Sequence, residues 1–208
     1  MSHGFARLTF AGSCGREQGN VMSRVTIGNC SPVQELRREW YGREIVPPVQ
    51  FSFTLENGNL VFTARQARAV NIHPTAKPGE FTENLWKYDT AEFFVANADA
   101  TRYLEFNLCP NGAWWACVFT APRVKDESAP PLPAVQTRGC IQDDGSWECR
   151  AELPIAYLEA LGMPPDRCRL AAAAIQNSPD YTYLTTSDDQ SGEPDFHRPG
   201  SWPLACIL

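Results

Sequence analysis

Two tryptophans, two glutamates and an asparagine fall close together in the middle of this 208-residue chain: Trp86, Glu92, Glu105, Asn107 and Trp114. Carboxylates are strong acceptors for hydroxyl donors. A carboxamide offers both donors and acceptors, and an indole offers a flat apolar face with one N–H. Such a set suits the recognition of a polar molecule better than bond cleavage. Glu92 and Glu105 as a hydrolytic pair would need carboxyls about 5–10 Å apart across a cleft, and nothing in the sequence places them so. GxSxG, HExxH, P-loop and dinucleotide signatures are all absent. The chain reads as non-catalytic.

The elements that must position these residues run from Leu85 to Arg123. Asn111-Gly112 is the dipeptide that most readily closes a two-residue type I′ turn, whose central residues both need positive φ. With those two residues as the loop, Leu104 pairs with Phe119, Phe106 with Cys117 and Leu108 with Trp115. One face of the hairpin is then core and includes Trp115. The other carries Tyr103, Glu105 and Asn107 with Trp114, Ala116 and Val118, because side chains alternate along a strand. An oily back and an aromatic, hydrogen-bonding front is what a binding sheet requires.

Two further hairpins follow from the same logic. Asn57-Gly58 sets Leu55 on Leu60, Phe53 on Phe62 and Phe51 on Ala64. Asp144-Gly145, taken as a two-residue loop, sets Cys140 opposite Cys149, either as a cross-strand disulfide or as two small buried thiols packed together. In that hairpin Trp147, Cys149, Ala151 and Leu153 share one face. Residues 5–10 and 20–27 read as short strands. Ser31-Pro32-Val33-Gln34 supplies an N-cap, a first-turn proline and a capping-box glutamine, predicting a short helix to about Trp40 stopped by Gly42. Pro47-Pro48 closes this lead-in, and residues 1–48 are expected to pack on or complete the main body. A polar loop over residues 70–83 delivers Trp86 to the rim of any site. Pro154 to Leu161 predicts a second short helix, and Arg167 to Gln176 a strand buried on both faces. The expected fold is all-β: one domain over residues 1–208, two antiparallel sheets in a sandwich of immunoglobulin-like or jelly-roll type with one or two short helices, a barrel being the alternative.

Composition narrows the partners. The formal charge is −6 and the pI about 5.1, a balance that repels phosphate backbones, so no nucleic-acid partner is expected. No apolar run approaches the roughly 18 residues that span a bilayer, so no membrane partner is expected either. The opening MSHGFARLTFAG lacks a basic region followed by an apolar one, which points to the cytoplasm unless a leader has been trimmed. Eight cysteines form no CxxC pair, against zinc ribbons. Asp188-Asp189 with Glu193 offers oxygen ligands without EF-hand spacing, leaving a structural calcium as an open alternative to no cofactor.

Leu85-Trp86-Lys87-Tyr88-Asp89, Glu92-Phe93-Phe94, Tyr103-Leu104-Glu105-Phe106-Asn107 and Pro110-Asn111-Gly112, in that order, resemble the central block of family 9 carbohydrate-binding modules and the wider DOMON-like sandwich group. Trp147 to Ile155 and Pro194-Asp195-Phe196-His197-Arg198-Pro199 are similar to later motifs of the same family, so the resemblance covers about residues 49 to 200. It implies a sugar site in which Trp86 forms one wall and Glu92 takes hydroxyl hydrogen bonds. Tyr181 or Tyr183 stands where the family has a second late aromatic. The expected ligand is a carbohydrate, held by Trp86, Glu92, Asn107, Trp114, Glu105, Tyr181 and Tyr183. Alternatives are a haem-binding DOMON-type electron-transfer domain, with Met22, Met163, His73 and His197 as the supply of axial ligands, and a protein-interaction module. Against the binding reading, Trp86 can cap the core, and Glu92 can pair with Arg102 or Arg65. His73, His197 and Asp195 read as turn residues.

Overall fold

A computed structural model describes residues 25–28, 33–177 and 180–208. The strands expected at residues 5–10 and 20–24, the Ser31-Pro32 cap and Met22 lie outside the described residues. Two mainly antiparallel sheets pack face to face. The first contains β1 (Val25–Ile27), β2 (Gln34–Arg38), β3 (Glu44–Glu56), β4 (Asn59–Gln66), β9 (Gln136–Ile141), β10 (Trp147–Pro154) and β13 (Ala205–Ile207). Its order is β13-β1-β3-β4-β10-β9, with β2 paired to β3. The second contains β5 (Thr90–Ala96), β6 (Tyr103–Leu108), β7 (Trp114–Ala121), β8 (Val124–Lys125), β11 (Arg169–Gln176) and β12 (Thr182–Thr185), in the order β12-β11-β5-β6-β7-β8. Among the strands of the described residues, parallel pairing is confined to β1 with β13 and β3, and one isolated parallel bridge joins Phe81 to Trp114. The helix α1 (Ile155–Ala160) follows β10, and Gly162, at φ 77°, ends it.

Alternation along the strands builds the interior. Phe53 of β3 packs on Phe62 of β4 with ring centroids 5.0 Å apart, Phe62 reaches Phe93 of β5 at 5.0 Å across the sandwich, and Phe93 stacks on Phe106 of β6 at 4.9 Å. Each fully buried ring contributes about 1.5–3 kcal/mol, so this chain of four joins the two layers. The strand β11 is buried along nearly its whole length, as its small apolar run requires.

The Asn57-Gly58 hairpin has the expected register, with Asn57 at φ 50° and Gly58 at φ 78°. The other two hairpins do not. At the β6–β7 connection the Cys109 N–H donates to Ala113 O (2.8 Å) and the Gly112 N–H to Cys109 O (2.8 Å), so the loop holds three residues, with Gly112 alone at positive φ. A two-residue loop would place Pro110 at the closing pair, which needs an N–H that proline lacks. The three-residue form puts proline at the second turn position, where its fixed φ fits. Asn111 Oδ1 takes the Ala113 N–H at 3.0 Å. The β9–β10 loop repeats the pattern: Gln142 N–H to Ser146 O, Gly145 N–H to Gln142 O, and Asp144 Oδ1 accepting from Ser146 N (2.9 Å) and Oγ (2.6 Å). Here the Asx side chain stabilises the longer turn.

One extra loop residue shifts each register by one and turns every side chain of the strand pair's second half to the other face. In the first hairpin Tyr103 lies opposite Phe119, Glu105 opposite Cys117 and Asn107 opposite Trp115. In the second, Cys140 lies opposite Glu148 and Cys149 opposite Gly139. Cys140 is exposed and Cys149 buried, both free, so neither the disulfide nor the buried thiol pair forms. Burial pushes the Cys149 thiol well above its ordinary pKa. Iodoacetamide on the native protein, followed by peptide mapping, is expected to modify Cys140 and to spare Cys149 until denaturant is added.

The helix expected through Trp40 is the strand β2. The Glu39 N–H donates to Arg43 O (3.0 Å) and the Gly42 N–H to Glu39 O (2.8 Å), so Gly42, at φ 90°, turns a hairpin into β3 rather than stopping a helix. Pairing with β3 buries Leu36, and this tertiary gain overrides the local capping signal.

The two sheets come into tight backbone contact where β9 passes the β6–β7 loop. A Cβ on Gly139 would lie 2.2 Å from Pro110 O and 2.4 Å from both Asn111 C and Gly112 N, all backbone atoms. Thr137 Oγ1 donates to Gly112 O at 2.6 Å across the same contact. Gly139→Ala is therefore expected to cost about 2–3 kcal/mol, measured by urea denaturation, because neither backbone can yield without breaking its turn. A neutral result would mean that the two loops part easily.

Candidate ligand-binding site

The outer face of the second sheet carries Glu92 and Phe94 from β5, Tyr103, Glu105 and Asn107 from β6, and Trp115, Cys117 and Phe119 from β7. Ile175 and Tyr183 stand beyond them on β11 and β12. Part of this face is covered. Trp202 packs on Phe94 at 5.0 Å and Tyr103 stacks on Phe119 at 4.9 Å, with Trp40 and Phe196 alongside. The rest opens into a cavity of about 490 Å³ whose lining includes Trp86, Glu92, Glu105, Trp115, Tyr183 and His197.

Trp86 arrives on a single 3-10 turn, Leu85–Lys87, entered through Asn84 at φ 63°. Leu85 is buried against Cys109 and Ala113 and anchors the turn, which leaves Trp86 49% exposed. The Lys87 Nζ sits 5.3 Å from the centroid of the Trp86 ring.

The floor is made by two carboxylates. Glu92 is only 2% exposed, lies between Ala173 of β11 and Asn107 of β6, and its Oε1 has no hydrogen-bond partner among the described residues. Burial, and then the charge of Glu105, hold its pKa well above the usual carboxylate range. Glu105 is the diagonal neighbour of Glu92 across the β5–β6 ladder, a position about 7–8 Å away in a regular sheet. Its Oε1 accepts from Asn107 Nδ2 at 3.1 Å. Burial pushes its pKa up to about 7, against the opposing effects of the Asn107 hydrogen bond and the Arg123 charge.

A polar relay stands beside Glu105. His197 Nε2 lies 3.7 Å from Glu105 Oε2, and His197 Nδ1 is 2.7 Å from Tyr103 Oη. Tyr103 Oη also accepts the Arg123 N–H at 3.2 Å, and whether Tyr103 or Nδ1 donates in their contact follows the tautomer of the ring. Burial, reinforced by Arg123, brings the His197 pKa down to about 4, so the imidazole is neutral at pH 7 and the contact with Glu105 is no ion pair there. The Arg123 guanidinium is itself engaged, with two hydrogen bonds to Asp195 at 3.1 and 2.9 Å.

Four of the residues expected at the site, Trp86, Glu92, Glu105 and Tyr183, line one cavity. Asn107 stands behind Glu105 and orients it. Tyr181 stacks on Tyr183 at 6.0 Å and donates to Lys87 O at 3.2 Å, bracing the wall from behind. Trp114 is a correction: the register shift turns it to the other face, where it stacks on Phe106 at 5.7 Å and meets Phe81 edge-on at 5.2 Å. Trp115, expected in the core, takes its place in the cavity. The ion pair expected for Glu92 does not form, since Arg102 pairs with Asp126 and Arg65 bonds Gln50 at 2.9 Å. His197, read as a turn residue, is a second correction. Asp195 does accept its neighbouring N–H, from His197 at 2.9 Å. His73 packs against Tyr88 away from the cavity, and Met163 is buried between the sheets. Asp189 is held by Ser191 and by Arg198 at 2.9 Å, while Glu193 accepts from Tyr41 at 3.2 Å. No group of three or more metal-ligating side chains occurs among the described residues. Trp115 was findable from sequence through Pro110 and its missing N–H; His197 had no local signal.

No protein-family model matches the chain. It is 30% identical over 132 residues to the mouse UPF0462 protein C4orf33 homolog, a match covering 60% of this chain and 64% of that protein. The chain thus spans somewhat less than two thirds of the length of this curated relative. Among solved structures, one from Bacteroides uniformis described as carbohydrate-binding aligns at a TM-score of 0.63 and 16% identity, over 86% of this chain and 87% of that one. A family 9 carbohydrate-binding module from Caldicellulosiruptor kristjanssonii, in complex with cellotriose, aligns at a TM-score of 0.58 and 10% identity, over 88% and 93%. At such identities the likeness establishes a carbohydrate-binding-module-like fold.

Proposed function

We propose that this protein is a non-catalytic carbohydrate-binding module, akin to family 9, whose sugar site is the cavity between Trp86, Tyr183 and the Glu92–Glu105 floor. The observation that carries the reading is the half-exposed Trp86 ring standing beside buried carboxylates in one open cavity. A sugar presents C–H patches and hydroxyls on alternate sides, so it needs a flat aromatic wall and acceptors fixed by the fold. Trp86 and Trp115 offer the first, Glu92 and Glu105 the second. The fold likeness to the cellotriose-bound module supports the same reading. A glycan is the partner proposed, rather than a nucleic acid or a membrane; no helix among the described residues is long and apolar enough to cross one.

The haem alternative finds less support, because Met163 and His73 stand away from the cavity that His197 lines. A glycan array probed with the purified chain tests the proposal, with an absorbance scan of the same sample. Saturable binding to a defined sugar supports it. A Soret band, or an array without any binder, overturns it.

A further inference from the structure

The floor of the cavity holds more acceptors than its surroundings can satisfy. Glu92 Oε1 and Asn107 Oδ1 are both buried without a partner among the described residues, and they lie side by side across the β5–β6 ladder. Glu105 Oε2 has only the 3.7 Å approach of His197. One of the two Asn107 Nδ2 hydrogens is already committed to Glu105. Charged and titratable groups around the pair do not fill the gap. Cys117, opposite Glu105 on β7, is a weak donor that points its thiol at Val118 O. Arg123 is taken by Asp195, His197 is neutral, and Lys125, which also lines the cavity, makes no hydrogen bond or ion pair to the floor among the described residues.

A hydroxyl brings one donor and two acceptor lone pairs, whereas an ammonium brings three donors and no acceptor. Two carboxylates and an orphan amide oxygen therefore match an ammonium better than a hydroxyl. The aromatic walls act in the same sense, since a cation is attracted to the faces of Trp and Tyr. We propose that the sugar taken by this cavity carries a free amino group, and that its ammonium seats on the floor between Glu92 and Glu105, with Asn107 behind them. The inference rests on the carbohydrate reading of the same cavity and narrows it to amino sugars. In the empty site below pH 7 both floor carboxyls carry protons, which supply the missing donors. The incoming ammonium replaces one of them, so binding releases about one proton and tightens as pH rises from 5 toward 7.

Three trisaccharides with one β-1,4-linked skeleton separate the possibilities: the chitosan trimer, its fully N-acetylated form and cellotriose, which differ only at C2. Each is titrated calorimetrically into the full chain at pH 6.0, in two buffers of different ionisation heat. The expected result is at least tenfold tighter binding of the chitosan trimer than of the other two, with about one proton released. In Glu92→Gln, which keeps the shape of the protonated side chain, the ratio of amine to acetylated affinity is expected to fall to within about twofold. Circular dichroism melting confirms that the variant folds, and Glu105→Gln serves as the second variant if it does not. Equal or tighter binding of cellotriose or the acetylated trimer overturns the amino-sugar inference and leaves the carbohydrate reading standing. Binding of none of the three overturns the amino-sugar inference for this skeleton, and the glycan array then decides whether the carbohydrate reading falls with it.

Discussion

From pH 4.5 to about 7 the melting temperature is expected to fall by several degrees, because two carboxyls kept protonated by burial outweigh one imidazole kept neutral. Two opposed linkages produce this shape. The Glu105 pKa rises from 4.5 in the unfolded chain to about 7 in the folded one, so its contribution is complete below pH 4.5 and is lost as pH rises through 7. The loss is on the order of 3 kcal/mol. The His197 pKa falls from 6.5 to about 4, so the unfolded chain takes up a proton first on acidification. That removes a similar ~3 kcal/mol as pH drops from 6.5 to 4. Between 4.5 and 6.5 the His197 slope cancels that of Glu105, and the slope of the raised Glu92 remains. Above 6.5 only the carboxyls remain, and Glu92, raised further by burial and by the Glu105 charge, continues the fall.

Glu105→Gln removes its own ionisation and relieves Glu92 of a neighbouring charge, so its stability profile should be flatter between pH 4.5 and 7 than that of the parent. Because each carboxyl raises the other, the Glu92→Gln, Glu105→Gln double variant should gain less than the two single variants together. Calorimetric melting from pH 4.5 to 8.5 reads both effects. A Glu105→Gln profile that overlays the parent would show that the floor is hydrated and ionised at neutral pH. Keeping two carboxyls out of water weakens the fold, as sites built for recognition commonly do.

Trp86→Ala should abolish sugar binding and leave the fold intact. The ring is half exposed and tops a 3-10 turn held by Leu85, so its removal should move the melting temperature by no more than about 2 °C, as for other surface positions. Covering its face with a sugar contributes apolar burial and ring-specific attraction together worth about 2–3 kcal/mol, a thirty- to hundredfold loss of affinity on truncation. Titration calorimetry and circular dichroism on the same variant check the two halves of this expectation. Loss of the fold would reassign Trp86 to the core, and unchanged affinity would move the site elsewhere. Tyr183→Ala should act more weakly, since that ring also stacks on Tyr181 and supports the wall.

Strand positions were legible in the sequence because period-two burial is a local property. Phe51, Phe53 and Leu55 against Leu60, Phe62 and Ala64 needed only the Asn57-Gly58 turn, whose flanking residues all carry the N–H groups a two-residue loop uses. The same rule applied to Asn111-Gly112 and Asp144-Gly145 gave faces inverted by one residue, although Pro110 was visible beside the first. The β2 strand was misread as a helix because its capping signal is local while its pairing partner, β3, is not.

Sequence alone determined the two-layer scaffold and the parity that keeps Glu105 and Asn107 off the core, while the exposure of Trp86 on its 3-10 turn came from the structure. Only the tertiary structure decided that Glu92 and Glu105 become diagonal neighbours, that Trp115 rather than Trp114 reaches the cavity, and that His197 arrives beside them. The reason is physical. Alternation reports which side of its own strand a residue occupies. Depth of burial, and with it the displaced pKa of each floor carboxyl, depends on segments such as residues 194–202 folding over that sheet from far along the chain.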